Sequence, residues 1–410
     1  MSQLDDGHSQ PPSIARSRLS VRAVGDIESL VALAPTWNVL LESSRSNTIF
    51  LTWEWVYTWW QIYGEGRRLH VLVVEGEAVG IVGIAPLMKV RSRVLGLLPV
   101  EEARFIGDGG DVTPEYLDLF AAPGFEHAVV SACVEHLCAD ATVSAVDLRP
   151  LSNASANAGL LEQLFLCQRG RTSRAADSVC PVLPLPATAA EFMASRSKNY
   201  RKKFREYAKR CDRELGVTVR RTSAATELDR DMGALVALHT KRWRGSSRAF
   251  RSSRYCEFHQ CLARLMLAAG RLRLFSLEKD GTALALLYCF VHDQRYSFYQ
   301  GGRDPDYAGY RVGLVLMHNV ILQAIHEGAT VFDFLGGVED YKYRWATAEA
   351  RSERVRYAKV GWASAIYVLS DFVFRMRRKA ARLKVSVMRN RHSSSPARTV
   401  LEESQAPEWT

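Results

Sequence analysis

Residues able to do chemistry are densest between Tyr299 and Trp345, in the run YQGGRDPDYAGYRVGLVLMHNVILQAIHEGATVFDFLGGVEDYKYRW. A glycine-containing loop there leads into a helix opening near Gly309–Gly313. Such an opening aims free backbone N–H groups and the positive end of a helix dipole at an anion, and Arg311 would add a charged fork. The same residues would also serve simply to shape a loop before a helix. Further on, VFDFLGG reads as a strand with Val331, Asp333 and Leu335 on one face and Phe332 and Phe334 on the other. A carboxylate between apolar neighbours is costly to bury unless it is paired or used. Glu339 follows the Gly336-Gly337 turn. Tyr341-Lys342-Tyr343-Arg344-Trp345, if extended, puts three aromatics on one face and two cations on the other. That suits gripping a phosphate or carboxylate beside an apolar wall, although a solvated edge strand carries the same pattern. Upstream, His239 has an unperturbed pKa suited to proton transfer near neutrality, while a lone helical histidine is commonly structural.

The elements that must position these groups occur twice. LHVLVVEGEAVGIVGIAPLM (Leu69 to Met88) and LRLFSLEKDGTALALLYCFV (Leu272 to Val291) each read as strand, tight turn and strand. The first is followed by strands at Arg104–Ile106 and Tyr116–Phe120, a helix at Glu126–Cys138 and a strand at Ala145–Leu148. The second is followed by a strand at Arg295–Gln300, a helix at Val312–Glu327 and a strand at Thr330–Leu335. The expected fold class is therefore α/β (α+β), built by internal duplication, with a break near Cys180–Ala187 where three prolines interrupt the pattern. Leu314, Met317, Ile321, Ala324 and Ile325 give the helix at Val312 one face for a sheet to cover, and Gly328 is its C-cap. Further helices are expected at Glu227–Trp243, Tyr255–Ala269 and Ser195–Arg213. In the last of these Tyr200, Phe204, Tyr207 and Cys211 form a stripe better suited to core packing than to stacking on bases. The expected organisation is a disordered 1–18, an N-terminal lobe at 19–180, a catalytic lobe at 181–361 and a basic tail at 362–410.

The combination Y-x-G-x-D-x-x-Y … G-x-x-x-M … A-x-x-x-G-A-x-x-F-D-F-L-x-G-x-E-x-Y-K-x-R-W resembles the C-terminal half of CelD-type acyltransferases, relatives of the FemAB peptidoglycan ligases. His239-Thr240-Lys241-Arg242-Trp243, Phe50-Leu51-Thr52-Trp53-Glu54-Trp55 and Ala85-Pro86-Leu87 extend the resemblance over roughly residues 20–360. It implies two tandem GNAT-like lobes, each a mixed sheet flanked by helices, with the reacting site in the C-terminal lobe. It also implies that Gln300, Gly302, Arg311 and Gly313 hold the pantetheine–pyrophosphate arm of acyl-CoA. The usual pyrophosphate loop, Q/R-x-x-G-x-G/A, is reduced here to Arg311 and two glycines. That leaves acyl-CoA, an acyl carrier protein thioester and aminoacyl-tRNA open as donors. The reaction implied is N-acyl transfer to an amine of an envelope polysaccharide precursor or a lipid. Long-chain acylation of a sphingoid-type amine (ceramide formation) and an inactive GNAT-fold protein of exopolysaccharide assembly are the alternatives. An amine attacks a thioester only as the free base, and the resulting oxyanion needs donors. Asp333, Glu339 and His239 are the candidate bases; Tyr341, Lys342, Arg344 and Trp345 are candidates for holding substrate.

Composition narrows the remaining choices. The 410 residues are 47% hydrophobic and 24% charged, as in globular chains. No apolar run approaches the roughly 18 residues of a spanning helix, so a soluble, cytoplasmic chain is expected. The eight cysteines form no Cys-x-x-Cys pair and no zinc-like cluster with histidine, so no metal and no tightly bound cofactor are expected. The net charge of +10 comes from Ser195–Arg213 and Phe372–Val400, which points to local anionic partners rather than to general nucleic-acid binding. The second of these segments leaves open peripheral attachment to the inner membrane face.

Overall fold

The computed structural model describes residues 19–361 except 95–97, 244–246 and 248; the expectations for 1–18 and the basic tail at 362–410 lie outside the described residues. In the N-terminal half the elements are β1 (Leu19–Val24), α1 (Ile27–Ala32), α2 (Ala34–Ser43), α3 (Trp53–Tyr63), β2 (Arg68–Leu69), β3 (Val71–Gly76), β4 (Gly80–Ala85), β5 (Leu87–Val94), β6 (Leu98–Phe105), β7 (Phe120–Ala121), α4 (Glu126–Ala139), β8 (Ala145–Ser152), α5 (Asn157–Leu166) and β9 (Gly170–Pro184). The C-terminal half contains α6 (Ala189–Ser195), α7 (Lys198–Arg210), β10 (Thr218–Arg221), α8 (Ala225–Trp243), α9 (Ser253–Ala268), β11 (Leu272–Lys279), β12 (Thr282–His292), β13 (Arg295–Arg303), α10 (Val312–His326), β14 (Val331–Asp333), α11 (Asp340–Tyr343) and β15 (Ala348–Lys359). Both expected hairpins form, as β3–β4 and β11–β12. The segment Tyr116–Phe120, read as a strand, is a loop apart from one bridge at Leu117 and the short β7.

Helix patterning explains the packing. In α8 the buried Leu228, Met232, Leu235 and Leu238 recur every three or four residues and give one covered stripe. α10 is buried nearly all round, because the sheet covers one side and α6 and α7 the other. Each buried leucine or isoleucine contributes roughly 2 kcal/mol by leaving water. The expected aromatic stripe of Ser195–Arg213 is core packing: Phe204 stacks on His318 of α10 at 3.5 Å, and Tyr200 Oη lies 2.7 Å from His318 Nδ1.

A four-stranded sheet has the order β1-β3-β4-β7, and an eleven-stranded sheet has the order β10-β11-β12-β13-β14-β9-β15-β8-β6-β5-β2. The centre of the larger sheet departs from the expected lobe break. Cys180–Pro184, read as an interruption, are the far end of β9, which pairs with β14 at Val331–Asp333. β15 in turn inserts between β9 and β8. The last strand of each half therefore sits in the sheet of the other, and one continuous sheet joins the lobes. Aromatic packing reinforces the junction: Trp55 of α3 makes edge contacts with Phe258 of α9 at 5.4 Å, Phe290 of β12 at 5.8 Å and Tyr299 of β13 at 5.6 Å.

Candidate active site

β13 and β14 run parallel but pair only from Arg295–Ser297 to Val331–Asp333. Beyond that point β14 ends while β13 continues to Arg303, and the two backbones part. The wedge between them opens into a cleft of about 440 Å³, walled by Phe298, Gln300 and Gly301 on one strand and by Phe334, Leu335 and Gly336 past the other. His239, Arg242 and Trp243 at the end of α8 line it as well. Pairing with β12 skips Tyr299, so β13 bulges at the wedge, a feature that removes one residue from the regular ladder. Gly302 acts through packing instead. A Cβ there would sit 2.7 Å from the His239 backbone nitrogen, so glycine lets α8 lie directly on β13.

A second cleft, of about 230 Å³, adjoins the first, and Thr113 and Glu115 line both. Its other walls are Gly107–Gly110, Arg149, Asp177 and Ser178. Glu115 is buried, and its Oε2 accepts from Ser178 Oγ at 2.8 Å. Ser178 owes this aim to a bulge at Asp177–Ser178 of β9, where two residues face Ser352 of β15. The buried Ser352 hydroxyl lies 2.7 Å from Ser178 Oγ. On the opposite side Gly336 leaves room for the carboxylate, because a Cβ there would push Glu115 Oε1 out of its position. Burial pushes the Glu115 carboxyl up to about 7, Ser178 holding it down and the Asp333 charge adding to the rise. It therefore titrates near neutrality.

Asp333 does not face the cleft. It is completely buried; Oδ1 accepts from the Leu335 N–H at 2.8 Å, and Oδ2 from Tyr116 Oη at 2.9 Å and Arg295 Nη1 at 2.8 Å. Burial pushes its carboxyl above the ordinary range, while Arg295 and these donors pull it back. Tyr116 and Leu335 both adopt left-handed backbone, with φ of 54° and 57°. Each such non-glycine residue costs roughly 1 kcal/mol or more, so the fold must hold it in place. Asp333 ties down both, one beside Glu115 and the other beside Gly336.

The other residues singled out from the sequence divide between the cleft and its surroundings. His239 lines the cleft, and burial first, then Arg242, lowers its imidazole to about 4. Arg242 is itself lowered to about 9 by burial and by Arg303. Glu339 lines the cleft with a half-exposed side chain, 2.9 Å from Lys342 Nζ. Residues 341–345 are not extended: Asp340–Tyr343 form a helical turn, with the Lys342 N–H bonded to the Glu339 carbonyl. The turn buries Lys342, which donates to the carbonyl oxygens of Gly336 at 2.6 Å and Leu335 at 3.3 Å. Lys342 and Tyr341 line the cleft; Trp345 packs against Tyr200, and Arg344 is exposed. Phe332 and Phe334 share one core and Leu335 lies in the other, as the alternation expects, although β14 itself ends at Asp333 and Leu335 turns left-handed. Gln300 lines the cleft, whereas Arg311 and Gly313 lie outside its walls at the opening of α10. Sequence reasoning missed Glu115, Ser178 and Ser352. The one hint in the chain was a carboxylate just after a glycine-rich run, Gly107 to Gly110.

Among the described residues, His70, His136 and Asp140 come close enough to suggest a metal site. Asp140 is already engaged: Lys89 Nζ lies 2.6 Å from Oδ2, and Thr142 donates twice to Oδ1. Among the described residues no helix is long and apolar enough to cross a membrane.

The family of the acetyltransferase (GNAT) domain matches residues 198–343. No curated protein matches the sequence. Among solved structures, FemX is similar over 78% of this chain and 95% of its own, with 13% identity and a TM-score of 0.57. A conserved protein of unknown function from Bacteroides thetaiotaomicron VPI-5482 is similar over 83% of this chain and 100% of its own, with 10% identity and a TM-score of 0.54. At such identities the likeness is one of fold. Residues 198–343, in the C-terminal half, match a GNAT acetyltransferase domain, which supports an acyltransferase.

Proposed function

We propose that the protein moves an acyl group from a thioester donor, acyl-CoA, onto an amine, with Glu115 as the general base. The observation that carries this reading is the position of Glu115: one carboxylate borders both clefts and titrates at about 7. The wedge between β13 and β14 takes the thioester, with Arg242 on its wall to meet the anionic part of the donor. The adjoining cleft takes the amine. Its carboxylates Asp177 and Glu115, beside an Asp108 already paired with Arg149, favour an ammonium group over a phosphate. Once the ammonium is there, Glu115 removes the proton that prevents attack, a contribution of about 10²–10⁴ in rate. The bulge at Tyr299 supports the reading, since backbone released from the ladder can donate to the oxyanion formed on the thioester carbonyl. His239, lowered to about 4, is a poor base at neutral pH and suits a packing or donor role. The resemblance to CelD-type and FemAB-related proteins favours an amine on an envelope polysaccharide precursor or a lipid as acceptor.

The test is acyl transfer from labelled acyl-CoA of several chain lengths to amino sugars and long-chain amines, by the native protein and Glu115→Gln. Transfer that depends on Glu115 and rises with pH through about 7 supports the proposal. Equal turnover by the variant across that range removes Glu115 from the mechanism.

A further inference from the structure

α7 has two faces with different fates. Its aromatic face is half-buried against His318 and is not free as an apolar stripe for a bilayer. Its outer face exposes Lys198, Lys202, Lys203, Arg205, Lys209 and Arg210, against the single acid Glu206 within the helix. At one end Arg196, just before α7, reaches the Trp345 carbonyl at 3.5 Å, and Tyr200 meets the Trp345 ring at 5.9 Å, three residues past the cleft-lining Lys342. At the other end Arg210 donates to the Gly309 carbonyl at 3.3 Å, and its guanidinium lies 4.5 Å from the centre of the Tyr310 ring. Cys211 Sγ adds a contact to the Tyr310 carbonyl at 3.2 Å. The basic helix thus runs from the α11 side of the wedge to the loop joining β13 to α10.

We propose that this face docks a small acidic carrier protein that delivers the acyl group as a thioester on a flexible arm. The inference rests on the thioester-donor reading and names a second form of that donor. Charge complementarity selects the partner: the strip is about 20 Å long, the length of one helix. Nucleic acid would require a wider basic surface, and among the described residues the strip is followed at once by Glu214, which Arg210 holds at 3.1 Å.

The test compares binding of hexadecanoyl-loaded acyl carrier protein and of hexadecanoyl-CoA to the full-length protein and to the triple variant Lys202→Glu, Lys203→Glu, Lys209→Glu. All three side chains are exposed, and melting temperature checks the fold of the variant. The expected result is that carrier-protein affinity falls at least about tenfold in the variant, and in high salt for the native protein, while the variant's affinity for the CoA thioester stays within about twofold of the native protein's at the same salt. Carrier-protein affinity unaffected by the charge reversal overturns the docking face and leaves the CoA reading intact. The docking face also falls if RNA or anionic vesicles bind through these lysines while the carrier protein does not. Absence of binding by both thioesters defeats the donor reading and, with it, this proposal.

Discussion

The two halves contain wedges built alike and filled differently. β6 and β8 run parallel and pair only at Glu102–Ala103 and Ala145–Val146, with α4 as the crossover helix, just as α10 joins β13 to β14. In the C-terminal wedge the divergence leaves an open cleft with aromatic and glycine walls. In the N-terminal wedge charge occupies the corresponding space. Arg149 lies 3.1 Å and Arg104 3.6 Å from Asp108, Arg104 also binds Glu102, and Arg354 of the inserted β15 binds Asp147. Burial pushes the Asp108 carboxyl up, and the two guanidiniums pull it down. A buried ion network of this kind holds a shape but leaves no room for an apolar arm. The two wedges therefore differ in character, one open and one walled by ion pairs, and Glu115 stands where they meet.

The largest expected effect separates chemistry from binding at that meeting point. Glu115→Gln should lower kcat by about 10²–10⁴ with donor KM nearly unchanged, measured by steady-state kinetics. It should also alter the pH dependence of stability. The Glu115 carboxyl titrates higher when folded than when unfolded, so its contribution is full below its unfolded value of 4.5 and is lost as pH rises through about 7. Chemical denaturation at pH 8 should then find the variant more stable than the native protein by up to roughly 3 kcal/mol, and the two should converge near pH 4.

Asp333→Asn comes next. It leaves Arg295 without its anion and loosens both left-handed residues, so stability should fall by roughly 3 kcal/mol in urea denaturation. Turnover should fall with it, since Tyr116 and Leu335 position Glu115 and Gly336. Unchanged stability would mean that Asp333 does not organise the junction.

Asp108→Ala tests the filled wedge. Removing the anion between Arg104 and Arg149 should cost roughly 2 kcal/mol and raise acceptor KM, while donor KM stays constant. An equal change in both constants would break the assignment of one cleft to each substrate. Arg242→Met tests the open wedge from the other side: donor KM should rise about tenfold, equivalent to about 1.4 kcal/mol, with kcat little changed. The smallest effect belongs to Glu339→Gln, whose half-exposed carboxylate should shift kcat/KM less than about threefold.

Local pattern carried much of the architecture. Hairpins at Leu69 and Leu272, the helices at Glu126, Glu227 and Val312, and the buried strand of Asp333 were legible because apolar period and turn residues are properties of neighbouring positions. The motif from Asp333 to Trp345 led to one wall of the cleft, and His239, Gln300, Glu339, Tyr341 and Lys342 do line it. The short α11 was not legible, because it forms where Lys342 can reach the Gly336 and Leu335 carbonyls, a consequence of the turn and not of residue type.

By itself, then, the sequence determined two similar mixed units, their helices and strands, and a C-terminal half whose residue pattern resembles acyl-transfer proteins. Tertiary structure alone decided which carboxylate matters. Glu115 lies 218 positions before Asp333 in the chain. It is held at the junction because β9 and β15 cross into the sheets of opposite halves and bring Ser178, itself backed by Ser352, against it. No periodicity encodes that exchange, since strand order depends on which edges meet after each half has formed. Burial at the resulting junction, which moves the Glu115 carboxyl to about 7, exists only once both halves are in place.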